Sequence, residues 1–152
     1  MPLKPRPRNI PKIPGAVRLY KISAYVTGVM LLLLCMEMVL KYTPLHTELA
    51  IGDPRGFFVP AGTIRHPALD LSLGILIVHG WLYVVYLFMD FRLWSIMRWN
   101  FTRFVLIALG GVIPLMSFFV EHRMARTAMA EYETLTIERE RALAAQSQEA
   151  AA

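Results

Sequence analysis

Residues 71–89 read LSLGILIVHGWLYVVYLFM, a run without a single Asp, Glu, Lys or Arg. A helix needs about 20 apolar residues to cross the ~30 Å hydrocarbon core of a bilayer, so this run predicts a membrane span. Two more uncharged runs flank it: ISAYVTGVMLLLLCM at 22–36 and FVLIALGGVIPLMSFFV at 104–120. Extended to the nearest charges, the spans lie at about 17–40, 69–89 and 104–120. The fold class expected is an all-α membrane protein with three transmembrane helices. Residues 1–16 form an arm, 17–123 the transmembrane domain and 124–152 a charged helical tail.

Composition agrees with this reading. The 152 residues are 56% hydrophobic and 18% charged, with a mean hydropathy of +0.46. A soluble domain carries about a quarter charged residues, so a soluble enzyme with its own core is excluded as the leading idea. The one cysteine, Cys35, lies inside an apolar run and excludes a disulfide scaffold. A net charge of +5 would suggest nucleic acid in a soluble protein. Here the basic residues flank apolar spans, and anionic lipid rather than nucleic acid is the expected partner.

The arm holds Pro2, Pro5, Pro7, Pro11 and Pro14, which remove backbone donors, so an extended, polyproline-like and non-helical segment is expected. Lys4, Arg6, Arg8 and Lys12 make it basic and suited to contact a partner or lipid. The apolar run that follows is too long for a cleaved signal and reads as a retained anchor. Trp94, Trp99, Phe101, Phe57 and Phe58 are rings expected at headgroup level.

With three spans, the arm and the short connection 91–103 share one side. Together they hold nine Lys and Arg, against seven on the other side that are diluted by acids. The expected placement is the plasma membrane, multi-pass, with the N-terminus cytoplasmic and the C-terminus outside. The tail, rich in Ala, Glu and Arg, predicts a helix continuing out of the third span and fraying near Gln146. Met124, Ala128, Tyr132 and Leu135 recur every three or four residues and form a single apolar stripe.

His79, Tyr83, Tyr86 and Asp90 are spaced four, three and four apart, which aligns them on one stripe of the second helix. An ionisable residue at that depth needs a partner and is a functional candidate by default. One reading is a proton relay or quinone-facing site; the other is a neutral histidine hydrogen-bonded to a neighbouring helix, with the tyrosines as packing. Gly80 would let another helix approach. Glu37 precedes Lys41 by four residues in the favoured order and predicts a membrane ion pair, with Arg123 as an alternative partner. Gly110, Gly111 and Pro114 read as a close-packing site and kink.

No catalytic set or metal site assembles. His79 is the only histidine inside a span, and there is no C-x-x-C, C-x-x-C-H or H-E-x-x-H. The chain is therefore not expected to be an enzyme or to bind a cofactor itself. A small oligomeric channel or transporter using the His79, Tyr83 and Tyr86 stripe is one alternative. An accessory or assembly subunit is the other, favoured by a proline-rich arm and a marginal tail that need a larger partner to order them.

Three stretches together carry a resemblance: RLYKISAYVTGVMLLLLCMEMVLKY at 18–42, HGWLYVVYLFMDF at 79–91 and RFVLIALGGVIPLMSFFVEHR at 103–123. Over residues 17–123 the chain resembles an actinobacterial family of small three-helix integral membrane proteins known only as a domain of unknown function. Glu37, His79, Gly80, Tyr83, Tyr86, Pro114 and Glu121 are the matching positions. A member of that family is similar to a small subunit of the actinobacterial cytochrome bcc–aa3 respiratory supercomplex. The resemblance thus implies a non-catalytic accessory subunit, with haem, copper and quinone held by the larger cytochrome bcc and aa3 partner subunits.

Overall fold

A computed structural model describes residues 4–151, so Pro2 of the arm lies outside the described residues. The arm is not extended throughout. Pro7–Lys12 forms a 3-10 turn that leads directly into α1, Ile13–Tyr42. Proline is tolerated there because a first helical turn has no use for its N–H and the ring presets φ. Pro14 stands in the first turn of α1, and buried Ile10 pins the arm.

The second helix, α2, runs over Leu71–Met97, two turns beyond the predicted span, so most of the expected 91–103 connection is helical. Asp70 starts it, its side chain accepting the Leu73 N–H at 2.9 Å. Helices α1 and α2 are antiparallel: Tyr20 meets Tyr86, and the Thr27 hydroxyl donates to the Leu82 carbonyl at 3.2 Å. Buried Ile13, Val17, Tyr20, Ala24, Thr27 and Leu31 recur at alternating four- and three-residue steps and make the α1 stripe that faces this contact.

Both helices are long and apolar enough to cross a membrane. Only 6% of the most apolar window of α2 is buried within the chain, with Trp81 and Phe88 exposed. A core helix of a water-soluble domain would be covered instead.

The connection between them adds a small sheet, a departure from an all-α fold. Strands β1 (Thr47–Ile51), β2 (Phe58–Pro60) and β3 (Leu69–Asp70) pair antiparallel in the order β2-β1-β3. Glu48 stands opposite Val59, and Ala50 opposite Asp70.

The third apolar run is not one span. Helix α3, Phe101–Gly110, stops after ten residues, and Leu115 turns the chain with φ +65° into α4, Met116–Ala151. At 1.5 Å per residue α3 is ~15 Å long, about half the hydrocarbon thickness. Helix α4 folds back beside it: Arg103 on α3 pairs with Glu131 at 3.2 Å, and Trp99 just before α3 donates to the same carboxylate at 2.9 Å.

The reversal corrects the expected topology. Along α1 in reverse, Phe118 meets Tyr25, Glu121 approaches Lys21 and Glu138 pairs with Lys4. The C-terminal tail therefore lies at the same end of the molecule as the N-terminal arm, not the opposite one. The tail is helical as its composition predicts, and persists to Ala151 rather than fraying near Gln146. Its stripe packs inward, with Met124 and Ala128 buried and Tyr132 and Leu135 against the core.

Candidate functional site

The arm-side half of the bundle encloses a buried polar cluster. Tyr20 from α1, Tyr86 and Asp90 from α2 and Glu121 from α4 are each essentially inaccessible. The four arrive together because α1, α2 and the returning α4 present small or apolar neighbours there, including Ala16, Ala24, Ala125 and Ala128. Tyr20 and Tyr86 rings stand 6.0 Å apart. Neither oxygen of Asp90 has a hydrogen-bond partner among the described residues, and the Tyr20 hydroxyl has only that of Tyr86 beside it. Glu121 has the Lys21 ammonium at 3.7 Å and the Tyr25 phenol beside it.

The predicted stripe is real, but it divides. His79 and Tyr83 stack at 6.4 Å, and Tyr83 and Tyr86 at 6.2 Å, so the side chains run in sequence along α2 toward Asp90. The tyrosine hydroxyls are engaged by the end of α3: Tyr83 donates to the Ala108 carbonyl at 3.3 Å and Tyr86 to that of Ile107. The Tyr86 bond takes up a carbonyl that the early stop of α3 leaves free, whereas the Ala108 carbonyl also accepts the Gly111 N–H at 3.2 Å. His79 is half-buried, with the Thr27 backbone of α1 beside its ring, and its Nδ1 makes no well-formed hydrogen bond among the described residues.

Gly111 sits against the same rings. A Cβ placed on it would stand 2.6 Å from Tyr83 Cδ2 and 3.0 Å from Tyr86 Cδ1. Gly110 is buried next to it, while Pro114 lies in the reversal itself. The expected kink is thus a full turn. Gly80, by contrast, is exposed, and a Cβ placed on it would meet nothing within 4 Å among the described residues.

Among the described residues, Glu37 pairs with neither Lys41 nor the alternative Arg123. Buried Glu37 accepts from the Ser72 hydroxyl, and Lys41 pairs with Glu48 of β1. The sheet supplies a carboxylate that reaches Lys41, and Arg123 lies at the other end, beside Arg103. Ser72 also accepts the Leu49 N–H at 3.1 Å and Glu48 the Gly62 N–H at 2.9 Å, tying the sheet to both helices. The Lys41 ammonium holds the Glu48 carboxyl below the usual carboxylate range, helped by the Gly62 N–H. The side chain and backbone N–H of Arg55 hold Asp53 well below it.

The arm residues Arg6, Arg8 and Lys12 are exposed, while Lys4 binds Glu138 at 2.8 Å. Trp99 is buried rather than interfacial, with the Arg103 guanidinium 5.1 Å over its ring. Spacing along α2 does not point to Tyr20, Lys21 or Glu121, although Glu121 is among the positions that carry the family resemblance. The four-residue step from Tyr20 to Ala24 on the buried α1 stripe is the signal that points to the first of them.

Among the described residues, no group of three or more His, Cys, Asp or Glu is placed to hold a metal ion. The cluster can hold protons and hydrogen bonds; it assembles no nucleophile with a base.

A family model described as a domain of unknown function (DUF3817) matches residues 17–126. An uncharacterized protein of Mycobacterium tuberculosis strain H37Rv is 28% identical over 123 residues, covering 81% of this chain and 84% of the relative. An uncharacterized protein of Mycobacterium leprae is 31% identical over 103 residues, covering 68% of this chain and 66% of the relative. No solved structure matches the chain.

Proposed function

For a chain that belongs to the DUF3817 family, with mycobacterial relatives of unknown function, we propose the role of a non-catalytic accessory subunit in the plasma membrane, bound to a larger membrane complex. The carrying observation is the α3–α4 hairpin. Its α3 arm stops after ~15 Å, near mid-membrane, and Val112, Ile113 and Leu115 are exposed on irregular backbone just beyond it. Such backbone is tolerated at that depth only when other protein or a water-lined cavity covers it. A partner subunit seated on the hairpin tip supplies that cover.

Orientation follows from charge. Thirteen of the 16 Lys and Arg lie at the arm end, leaving Lys41, Arg55 and Arg65 at the sheet end. The excess favours a cytoplasmic arm and tail, with the sheet outside.

The partner proposed is the cytochrome bcc–aa3 supercomplex, on the family resemblance of Glu37, His79, Tyr83, Tyr86 and Glu121. Haem, copper and quinone belong to its cytochrome subunits. The alternative, an oligomeric channel using the tyrosine stripe, needs those rings to line a shared path. Tyr86 is buried within one chain, against Tyr20 and the end of α3, which favours the accessory reading.

The test is purification in a mild detergent on a C-terminal tag, with co-purifying proteins identified and a reduced-minus-oxidised spectrum recorded. Cytochrome subunits with haem bands are expected. A colourless homo-oligomer without partners overturns the proposal in favour of a channel.

A further inference from the structure

The hairpin that returns α4 beside α3 leaves a groove of about 530 Å³ between the two helices, within the size range of small-molecule sites. Its two ends differ in chemistry. Arg103 from α3 and Arg123 from α4 stand toward the base, and Leu106, Phe119 and Met124 form the walls. Phe119 is 76% exposed, so the wall opens outward rather than into the core.

The two arginines are not equivalent. Arg103 is fixed by its bond to Glu131 and its seat over Trp99. The Arg123 guanidinium is exposed and has no ion-pair or hydrogen-bond partner among the described residues. A guanidinium fork matches phosphate oxygens two at a time, and paired arginines from facing helices fix such a group in place.

We propose that this groove binds one anionic phospholipid, its phosphate between Arg103 and Arg123 and an acyl chain along Leu106 and Phe119. The order of the groove, basic at the membrane face and apolar toward the tip, is the order of a lipid. Basic pockets between membrane helices on the cytoplasmic side take anionic headgroups for the same reason. A soluble anion has no use for the apolar wall, and an uncharged lipid has none for Arg123. The inference rests on the membrane placement proposed above, but not on the identity of the partner subunit.

The experiment uses the full chain in mild detergent, titrated with phosphatidylglycerol or phosphatidylcholine and followed by native mass spectrometry. The wild type is expected to retain one phosphatidylglycerol in preference to phosphatidylcholine. Arg123→Gln should lower that retention about fivefold, while Arg18→Gln, an exposed arginine on α1 at the same end, should leave it unchanged. Arg123→Lys keeps the charge but not the fork and should fall between them, which guards against loss of fold in the glutamine variant.

Equal loss in Arg123→Gln and Arg18→Gln overturns the site in favour of diffuse attraction. So does a photo-crosslinker at Phe119 that captures an acidic protein segment in cells instead of lipid. Wild-type protein that leaves the membrane fraction in alkaline carbonate overturns the membrane placement itself. A carbonate-resistant wild type without lipid preference overturns the lipid site alone.

Discussion

Gly111 and Tyr83 are in a contact that leaves no room for a methyl group, since a Cβ on Gly111 would lie 2.6 Å from two ring carbons of Tyr83. The constraint is steric: Gly111 has an ordinary helical φ of −79°, which any residue adopts. The close approach lets the Tyr83 hydroxyl reach the Ala108 carbonyl in the last turn of α3. Gly111→Ala should therefore destabilise the purified protein by about 1–3 kcal/mol, the usual cost of overpacking a filled site. Thermal unfolding in detergent measures it, and an unchanged midpoint would show that the ring moves freely.

The second prediction concerns topology. In a Cys35→Ala background, Lys4→Cys and Ala144→Cys should both react with a membrane-impermeant maleimide in inside-out vesicles, and neither in right-side-out ones. Both positions lie at the arm end because α4 runs back along α1, with Lys4 and Glu138 2.8 Å apart. That pair is largely exposed and holds little energy of its own, below about 1 kcal/mol. The buried partners of α4, from Met124 to Ala128, carry the arrangement. Labelling of the two cysteines from opposite faces would rule out the hairpin.

Much of this fold is legible in the sequence. Charge-free runs mark α1 and α2, and the four- and three-residue steps of Met124, Ala128, Tyr132 and Leu135 mark the packed face of the tail. The reversal at Gly111–Leu115 is not legible, because glycine and proline stop a helix without saying which way the chain leaves. That direction comes from distant residues: the Tyr83 and Tyr86 hydroxyls that take the α3 carbonyls, and the alanine face of α4 that fits α1. The Glu37 partner is not legible for a similar reason. Four-residue spacing brings Lys41 near, but the unanticipated β1 places Glu48 closer, and Ser72 is left for Glu37.

The sheet end should be sensitive to acid. Glu48 and Asp53 both have folded pKa values lowered by their cationic neighbours. A lowered value means the stabilisation is fully present above the unfolded values of about 4 and is lost as pH falls through the folded ones. Amides of residues 48–62 should thus be protected from hydrogen exchange at pH 7 and lose protection below about pH 4, after correction for intrinsic rates. In Glu48→Gln, the upper part of that pH dependence should vanish. Protection that rises on acidification would contradict the pairing of Lys41 with Glu48.

Asp90 offers the sharpest separation of structure from function. Its side chain is fully buried and neither oxygen finds a hydrogen-bond donor among the described residues. A buried polar group without partners costs stability, and an apolar side chain of similar size removes that cost. Asp90→Leu should therefore raise the stability of the purified chain by about 1–3 kcal/mol, read as a higher unfolding midpoint in detergent. A lower midpoint would mean that the carboxyl is satisfied by an ordered water or ion. The second readout is recovery of the larger complex on the tagged subunit. A stabilised variant that still recovers its partner and full respiratory activity marks Asp90 as dispensable to both. A stabilised variant that recovers the partner but lowers proton-coupled turnover would identify the cluster of Tyr20, Tyr86, Asp90 and Glu121 as a site kept for function at the expense of stability.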